Sequence, residues 1–312
     1  MAVLAPPAVP ASHGDRFYVG FDQATVHYGL RCESTAGIKS PENAIETTLR
    51  MTAAAQQQTP KSAGPETPAP TYRARMAATP AEVRAAQQLR FRVFNLELNQ
   101  GLAASYEIGL DQDQFDACCD HLVVEHIATG EVVGTYRVQS GTVALQNKGF
   151  YSASEFDLSA FIPIADEVLE IGRACIHEEH RNSHVLRLLW KAIGTYATDR
   201  KVRYLIGCSS VSSQSPEVGM ALYATLAGHL SPAHLRTEPL HPCRVADPAD
   251  KPPTTGLPRL LLSYLALGAW IAGPPALDEH FKTIDFLTVL DLSSLSPRAT
   301  ATFLRPTTPP AN

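Results

Sequence analysis

The sequence predicts an α/β (α+β) fold, a mixed central sheet with helices on both faces, and three stretches carry that prediction. Residues 121–127 and 132–138 are β-branched runs joined by a short turn containing Gly130, the pattern of an antiparallel hairpin. Residues 169–176, 183–200 and 202–208 then read as strand, amphipathic helix and strand. Helical stretches at about 80–99 and 216–228 flank this series, so the order is helix, hairpin, strand, helix, strand, helix.

The first helix has a clear start. Thr79 is the N-cap, Pro80 sits in the first turn and Glu82 reaches back three residues later. Val83, Ala86, Leu89, Val93 and Leu96 keep helical spacing, while Arg90 and Phe94, four apart, share another stripe suited to lining a site. In the second helix Val185, Leu188, Leu189, Ile193 and Tyr196 form the apolar face. The serine-rich GCSSVSSQS that follows reads as a loop, and residues 286–292 as a further strand. No internal repeat is present.

The chain has 312 residues, of which 45% are hydrophobic, enough for a substantial core. Residues 1–70 are rich in Pro, Ala, Gln, Thr and Ser without periodicity and read as a largely disordered extension. One folded unit over residues 71–306 remains, with a short tail at 307–312. A net charge of −5 argues against a nucleic-acid binder, which would carry a basic face. Six cysteines without CxxC pairs fit free thiols in a reducing compartment, the vicinal Cys118 and Cys119 included. No basic segment followed by an apolar block marks the N-terminus, so a cytoplasmic protein is expected. The longest apolar run, 260–273, is too short to span a bilayer; it reads as core, with peripheral contact at the inner membrane as the alternative.

The functional clue is LEIGRACIHEEHRNSHV at 169–185. Glu170 and Arg173 lie on one strand just upstream of a helix N-terminus, an arrangement suited to proton removal and phosphate gripping, hence to group transfer. Their odd separation puts them on opposite faces of a regular strand, and a bulge near Gly172 would change their aim. Arg137 alternates onto a face with Val133 and Thr135, where it can hold Asp113, Asp116 or Glu170, as part of an ion network or as a substrate contact. Cys175 has no neighbouring base to activate it as a nucleophile, and HEEH at 177–180 lacks the HExxH spacing of a helical zinc site, so no metal is expected.

These residues carry a resemblance. LEIGRACIHEEHRN, the LLWKAIGTYA helix, YLIGCSSV and the block LPRLLLSYLALGAWIAGPPALDEHFKTIDFLTVLDL are similar to the ornithine-lipid acyltransferases of the GNAT superfamily, over about residues 72–305. The series Arg90, Phe94, Asp113, Asp116, Arg137, Glu170, Arg173 resembles, more distantly, the acyl-homoserine-lactone synthases. The resemblance implies a GNAT fold and transfer of a 3-hydroxyacyl chain from acyl carrier protein to the α-amino group of ornithine. It implies catalytic roles for Glu170, as base, and Arg173, with Tyr223 as proton donor to the leaving thiolate, and substrate contacts from Arg90, Phe94, Asp113, Asp116 and Arg137. No resident cofactor is implied, and a separate O-acyltransferase would add the second chain of the lipid.

The acetyl-CoA branch of that superfamily carries a glycine-containing pyrophosphate loop, and here Arg181, Asn182, Ser183, His184, Val185 and Leu186 stand in its place without either glycine. A carrier protein presents a single phosphodiester, so the helix N-terminus with Arg181 and Ser183 suffices for it. His184, Arg187 and Lys191 fall at helical spacing and suit an acidic carrier. The rivals are N-acylation of glycine or another amino acid, an acyl-homoserine-lactone synthase, and a non-catalytic carrier- or membrane-binding module.

Overall fold

In the computed structural model, residues 71–243 and 256–304 are described; the proposed N-terminal extension, residues 305–306 and the C-terminal tail lie outside them. Eight strands form one sheet: β1 (Tyr72–Met76), β2 (Asp120–His126), β3 (Glu131–Ser140), β4 (Val168–Ile176), β5 (Tyr204–Val211), β6 (Trp270–Ile271), β7 (Ala276–Asp278) and β8 (Thr283–Asp291). Their order is β1-β2-β3-β4-β5-β8-β6, with β7 also paired to β8. Every pairing is antiparallel except β4 with β5, the two strands joined through a helix. Parallel neighbours need such a crossover, so the mixed sheet follows from the strand–helix–strand segment.

The helices are α1 (Pro80–Arg90), α2 (Ser105–Ile108), α3 (Gly141–Gln146), α4 (Ser183–Asp199), α5 (Pro216–Thr225), α6 (Arg259–Ala266) and α7 (Pro297–Phe303). The capping box opens α1 as expected: Thr79 accepts from the Glu82 N–H and Glu82 accepts from the Thr79 N–H, worth about 1 kcal/mol. Beyond Arg90 the helix widens into a π-turn, Phe91–Glu97. On one face of the sheet α4 buries Val185, Leu189, Ile193 and Tyr196 against Leu122, Val124, Tyr136, Val138 and Leu169. The other face carries α1 over β3 and β4, and the segment 150–161, whose Phe150, Phe156 and Phe161 pack on Tyr204, Ile206 and Leu287.

One expectation needs correction. Ser209–Val211, read as loop, belongs to β5 and pairs rung by rung with β8 as far as Val211 and Ile284. The fully buried β8 supplies a template that overrides the weak strand preference of the serines, and the Thr288 hydroxyl donates to Ser209 Oγ. The run 260–273 forms α6 and β6, with Leu261 and Ile271 buried. No described helix is long and apolar enough to cross a membrane.

Candidate active site

The pairing of β4 with β5 lasts three rungs and stops at Glu170 and Ile206; beyond that rung the strands part. On its other edge β4 carries a bulge, because Thr135 faces Cys175 while Arg137 faces Gly172, three steps of β4 against two of β3. The expected bulge is therefore present, yet the residue in left-handed conformation is Arg173 (φ +49°), not Gly172. Such a backbone costs on the order of 1–3 kcal/mol and persists only where the surroundings hold it. Here they do: the Arg173 guanidinium grips Asp111 and lies between the Phe94 and Phe281 rings, 4.5 and 4.7 Å from their centroids. The extra residue also brings Arg173 to the face that already carries Glu170 and Arg137, which resolves the parity problem.

Glu170 is 6% exposed. Its Oε1 accepts from the Ser152 N–H (2.8 Å) and hydroxyl (2.7 Å), and its Oε2 from the Tyr151 N–H (2.7 Å). Three of about four carboxylate lone pairs are used, leaving one on Oε2. Burial pushes the Glu170 carboxyl above its usual range, against the pull of the Ser152 and Tyr151 bonds and of Arg137. Access comes through a glycine. Gly172, two residues on and on the same face, has nothing within 4 Å of where its Cβ would stand, so open space lies beside the carboxylate. Gly207 serves the opposite need: a Cβ there would meet the Ile171 carbonyl oxygen at 2.2 Å, so glycine lets the two backbones stay this close just past the last paired rung.

The other candidates form one chain of charges. Arg90 donates to Asp111 Oδ1 (2.8 Å) and to both oxygens of Asp116 (3.0 and 2.7 Å); Arg137 donates to Asp113 (2.6 Å) and Asp116 (2.9 Å). Burial opposes ionisation of Asp116, yet Arg90 and Arg137 hold its carboxyl down to about 2. Burial and nearby Arg90 pull Arg173 down to about 9, while the Asp111 carboxylate in its grip favours the charged form. Arg90, Asp116 and Arg137 are buried and bonded to one another, which frames β4, and Phe94 and Asp113 join the same frame through Arg173 and Arg137. Asp111, the link between Arg90 and Arg173, was missed in the sequence, although three aspartates opposite three arginines signalled it.

Tyr223 packs with Leu222, Ile271, Ile284 and Phe286, and no hydrogen bond ties it to Glu170 or Arg173. The helix N-terminus departs furthest from expectation. Arg181 donates to both Glu97 oxygens (2.5 Å each) and to the Ile176 carbonyl, so its guanidinium is already engaged. Asn182 caps α4, its Oδ1 accepting from the His184 and Val185 N–H groups (3.0 Å each), so these two amides already have a partner. Ser183 and His184 stay exposed, and Arg187 and Lys191 form no ion pair among the described residues. Cys175 is buried and its thiol pushed up to about 12, away from nucleophilic use. His177, Glu179 and His180 do bring one ligand atom each within 4.8 Å, through a 3-10 turn and not the helical spacing considered above.

The family model for a GNAT acetyltransferase domain matches residues 89–191, which include the frame, Glu170 and the start of α4. An L-ornithine N(alpha)-acyltransferase of Agrobacterium fabrum is 33% identical over 73% of this chain and 83% of its own length. The Rhizobium meliloti enzyme of that name is 34% identical over 72% of this chain and 81% of its own. Among solved structures, the acyl-homoserine-lactone synthase LasI aligns at 12% identity over 74% of this chain and 94% of its own, with a TM-score of 0.43. With a third of its residues shared over most of both lengths, this chain belongs to the L-ornithine N(alpha)-acyltransferase family of GNAT acyltransferases.

Proposed function

We propose that this N-acyltransferase takes a 3-hydroxyacyl group from the thioester of acyl carrier protein and joins it to the α-amino group of ornithine, giving lyso-ornithine lipid. The observation that carries the reading is Glu170, held at the last rung before β4 and β5 part, with one lone pair free and open space over Gly172. An α-ammonium entering that space loses a proton to Glu170, and the freed nitrogen attacks the thioester carbon. Amides of β4 turned toward β5 beyond Glu170 make no ladder bonds, and they donate to the developing oxyanion. The carbon–sulfur bond then breaks, and the second nitrogen proton passes to the departing thiolate. No resident metal or redox cofactor enters these steps. Tyr223 is not needed for them.

The donor side rests on two features. Arg187 and Lys191 offer unpaired positive charge on the outer face of α4 to an acidic carrier. On the sheet face that α4 covers, away from Glu170, a small apolar cavity lined by Ile171, Trp190, Leu205, Tyr264, Leu290 and Phe303 borders both β4 and β5 near their parting, where part of the acyl chain can enter. A separate O-acyltransferase would complete the diacylated lipid, and its membrane-bound product would draw this enzyme to the inner-membrane surface.

The test is to incubate the protein with 3-hydroxyacyl carrier protein and a mixture of amino acids plus S-adenosylmethionine, and to read products by mass. The ornithine amide is expected, and Glu170→Gln should lower kcat by roughly 10²–10⁴-fold with Tm retained. An acylated homoserine lactone would assign the synthase activity instead. Thioester left unconsumed with every acceptor would leave a binding module.

A further inference from the structure

We propose that Glu155 and Asp285, with the Thr283 hydroxyl beside them, form the subsite for a positively charged acceptor side chain, an ammonium on a short aliphatic arm. This rests on the acyl-transfer reading and adds to it the residues that choose the amino acid.

Both carboxylates are interior, Glu155 at 7% and Asp285 at 4% exposure, and no Lys, Arg or His among the described residues pairs with either. Glu155 Oε2 and Asp285 Oδ1 have no hydrogen-bond partner. Thr283 Oγ1, 2% exposed, adjoins Asp285 and has no partner at full hydrogen-bond geometry. Two buried carboxyls with no cation and a hydroxyl beside them are complemented by a ligand with several N–H donors and a positive charge, and an ammonium is the compact form of that.

The position fits the acceptor. Cys208 Sγ lies 3.4 Å from Ser152 Oγ and 3.7 Å from Glu155 Oε1, and Ser152 donates to Glu170, so only two side chains separate the base from the acidic pair. Asp285 shares the face of Cys208 through its pairing with Ser210. An amino acid whose α-nitrogen meets Glu170 can lay a chain of three methylenes past Cys208 and end at Glu155. Burial, Asp285 and Asp278 push Glu155 up to about 10, so the empty pair holds a proton whose place the ammonium takes.

The experiment measures kcat/KM for ornithine and for norvaline, which keeps the carbon chain and lacks the side-chain nitrogen, with wild type, Glu155→Gln, Asp285→Asn and Thr283→Val. Wild type should prefer ornithine by about 100-fold or more, since a site built for a polar group strongly rejects the analogue lacking it. The acid variants should cut that preference below about tenfold through the KM for ornithine, and Thr283→Val by a smaller factor at unchanged Tm. An unchanged ornithine-to-norvaline ratio, or equal losses on both acceptors, would reduce the pair to a proton-sharing structural contact and overturn the proposal. So would a Tm raised by Zn2+ in wild type alone together with ornithine preference removed by EDTA, because Glu155, Cys208 and Asp285 place their ligand atoms within 4.8 Å and would then be a metal site. Wild type inert toward every amino acid would instead fell the acyl-transfer reading itself, taking the subsite with it.

Discussion

Two parts of one sheet face treat buried charge in opposite ways. Over β3 and β4, beneath α1, Arg173, Asp111, Arg90, Asp116, Arg137 and Asp113 alternate in sign, and each carboxylate has a guanidinium at bonding distance. Over β5 and β8, Glu155 and Asp285 face one another with no cation. The paired part is no drier than the unpaired one, so solvent does not explain the contrast. A paired buried network fixes geometry, here the bulge that turns Arg173 toward the site, whereas an unpaired one leaves desolvated carboxylates where an incoming cation gains most.

The hardest blow to this contrast is removal of the central partner on the paired side. Arg90→Ala strands Asp111 and Asp116 in the interior, and a loss of about 3–5 kcal/mol in urea unfolding is expected. A loss under about 1 kcal/mol would mean that the network does not hold β4. Next in size is Gly172→Leu, which should leave stability nearly unchanged, since nothing occupies the space its side chain enters. Filling that space should block the approach to Glu170 and lower kcat/KM by roughly 10²-fold, in line with the sensitivity of positioned reactants to small displacements. Full activity in the leucine variant would send the substrate along another route.

How much of this was legible in the sequence depended on range. Capping at Thr79 and Glu82, the 121–138 hairpin and the β4–α4–β5 unit are local patterns, and each matches the structure within a few residues. Pairing partners are not local. Arg90 and Asp116 were visible as charges, but that they spend themselves on one another depends on α1 lying across β3, which no window of sequence contains. Arg181 looked like a phosphate ligand until Glu97, 84 positions away, was brought beside it. Glu155 and Asp285 gave no signal, being isolated acids 130 positions apart that meet only because β8 pairs with β5. The bulge was readable from the parity of Glu170 and Arg173, but which residue takes the positive φ was fixed by Asp111 and two phenyl rings.

The two parts should also answer pH in opposite directions. Asp116 sits near 2 in the fold against 3.8 in the open chain, so its contribution is present above 3.8 and lost as pH falls through 2. Glu155 has a folded value of about 10 against 4.5, so the native state binds the extra proton between those values and stability falls as pH rises through that window. Tm measured from pH 5 to 9 should therefore decline in wild type, and Glu155→Gln should flatten the decline and exceed wild type at pH 9. A decline of the same slope in the variant would mean that Glu155 is ionised in the empty protein.

The smallest expected effect lies outside both parts and shows whether charge at the surface is used as charge within is. Arg187 and Lys191 stand one turn apart on the outer face of α4, away from the buried Leu189 and Ile193, and form no ion pair among the described residues. Solvated charges of this kind contribute little to stability, so the double change Arg187→Glu with Lys191→Glu should move Tm by no more than a degree or two. Against an acidic carrier the same change replaces attraction by repulsion, and long-range attraction mainly sets the encounter rate. The KM for acyl carrier protein should rise several-fold at low salt, the gap to wild type should narrow at 0.5 M salt, and kcat at saturating carrier should stay the same. A KM that does not respond at any salt would place carrier docking elsewhere and make this an ordinary solvated helix face, leaving Glu170 and the parted strands untouched.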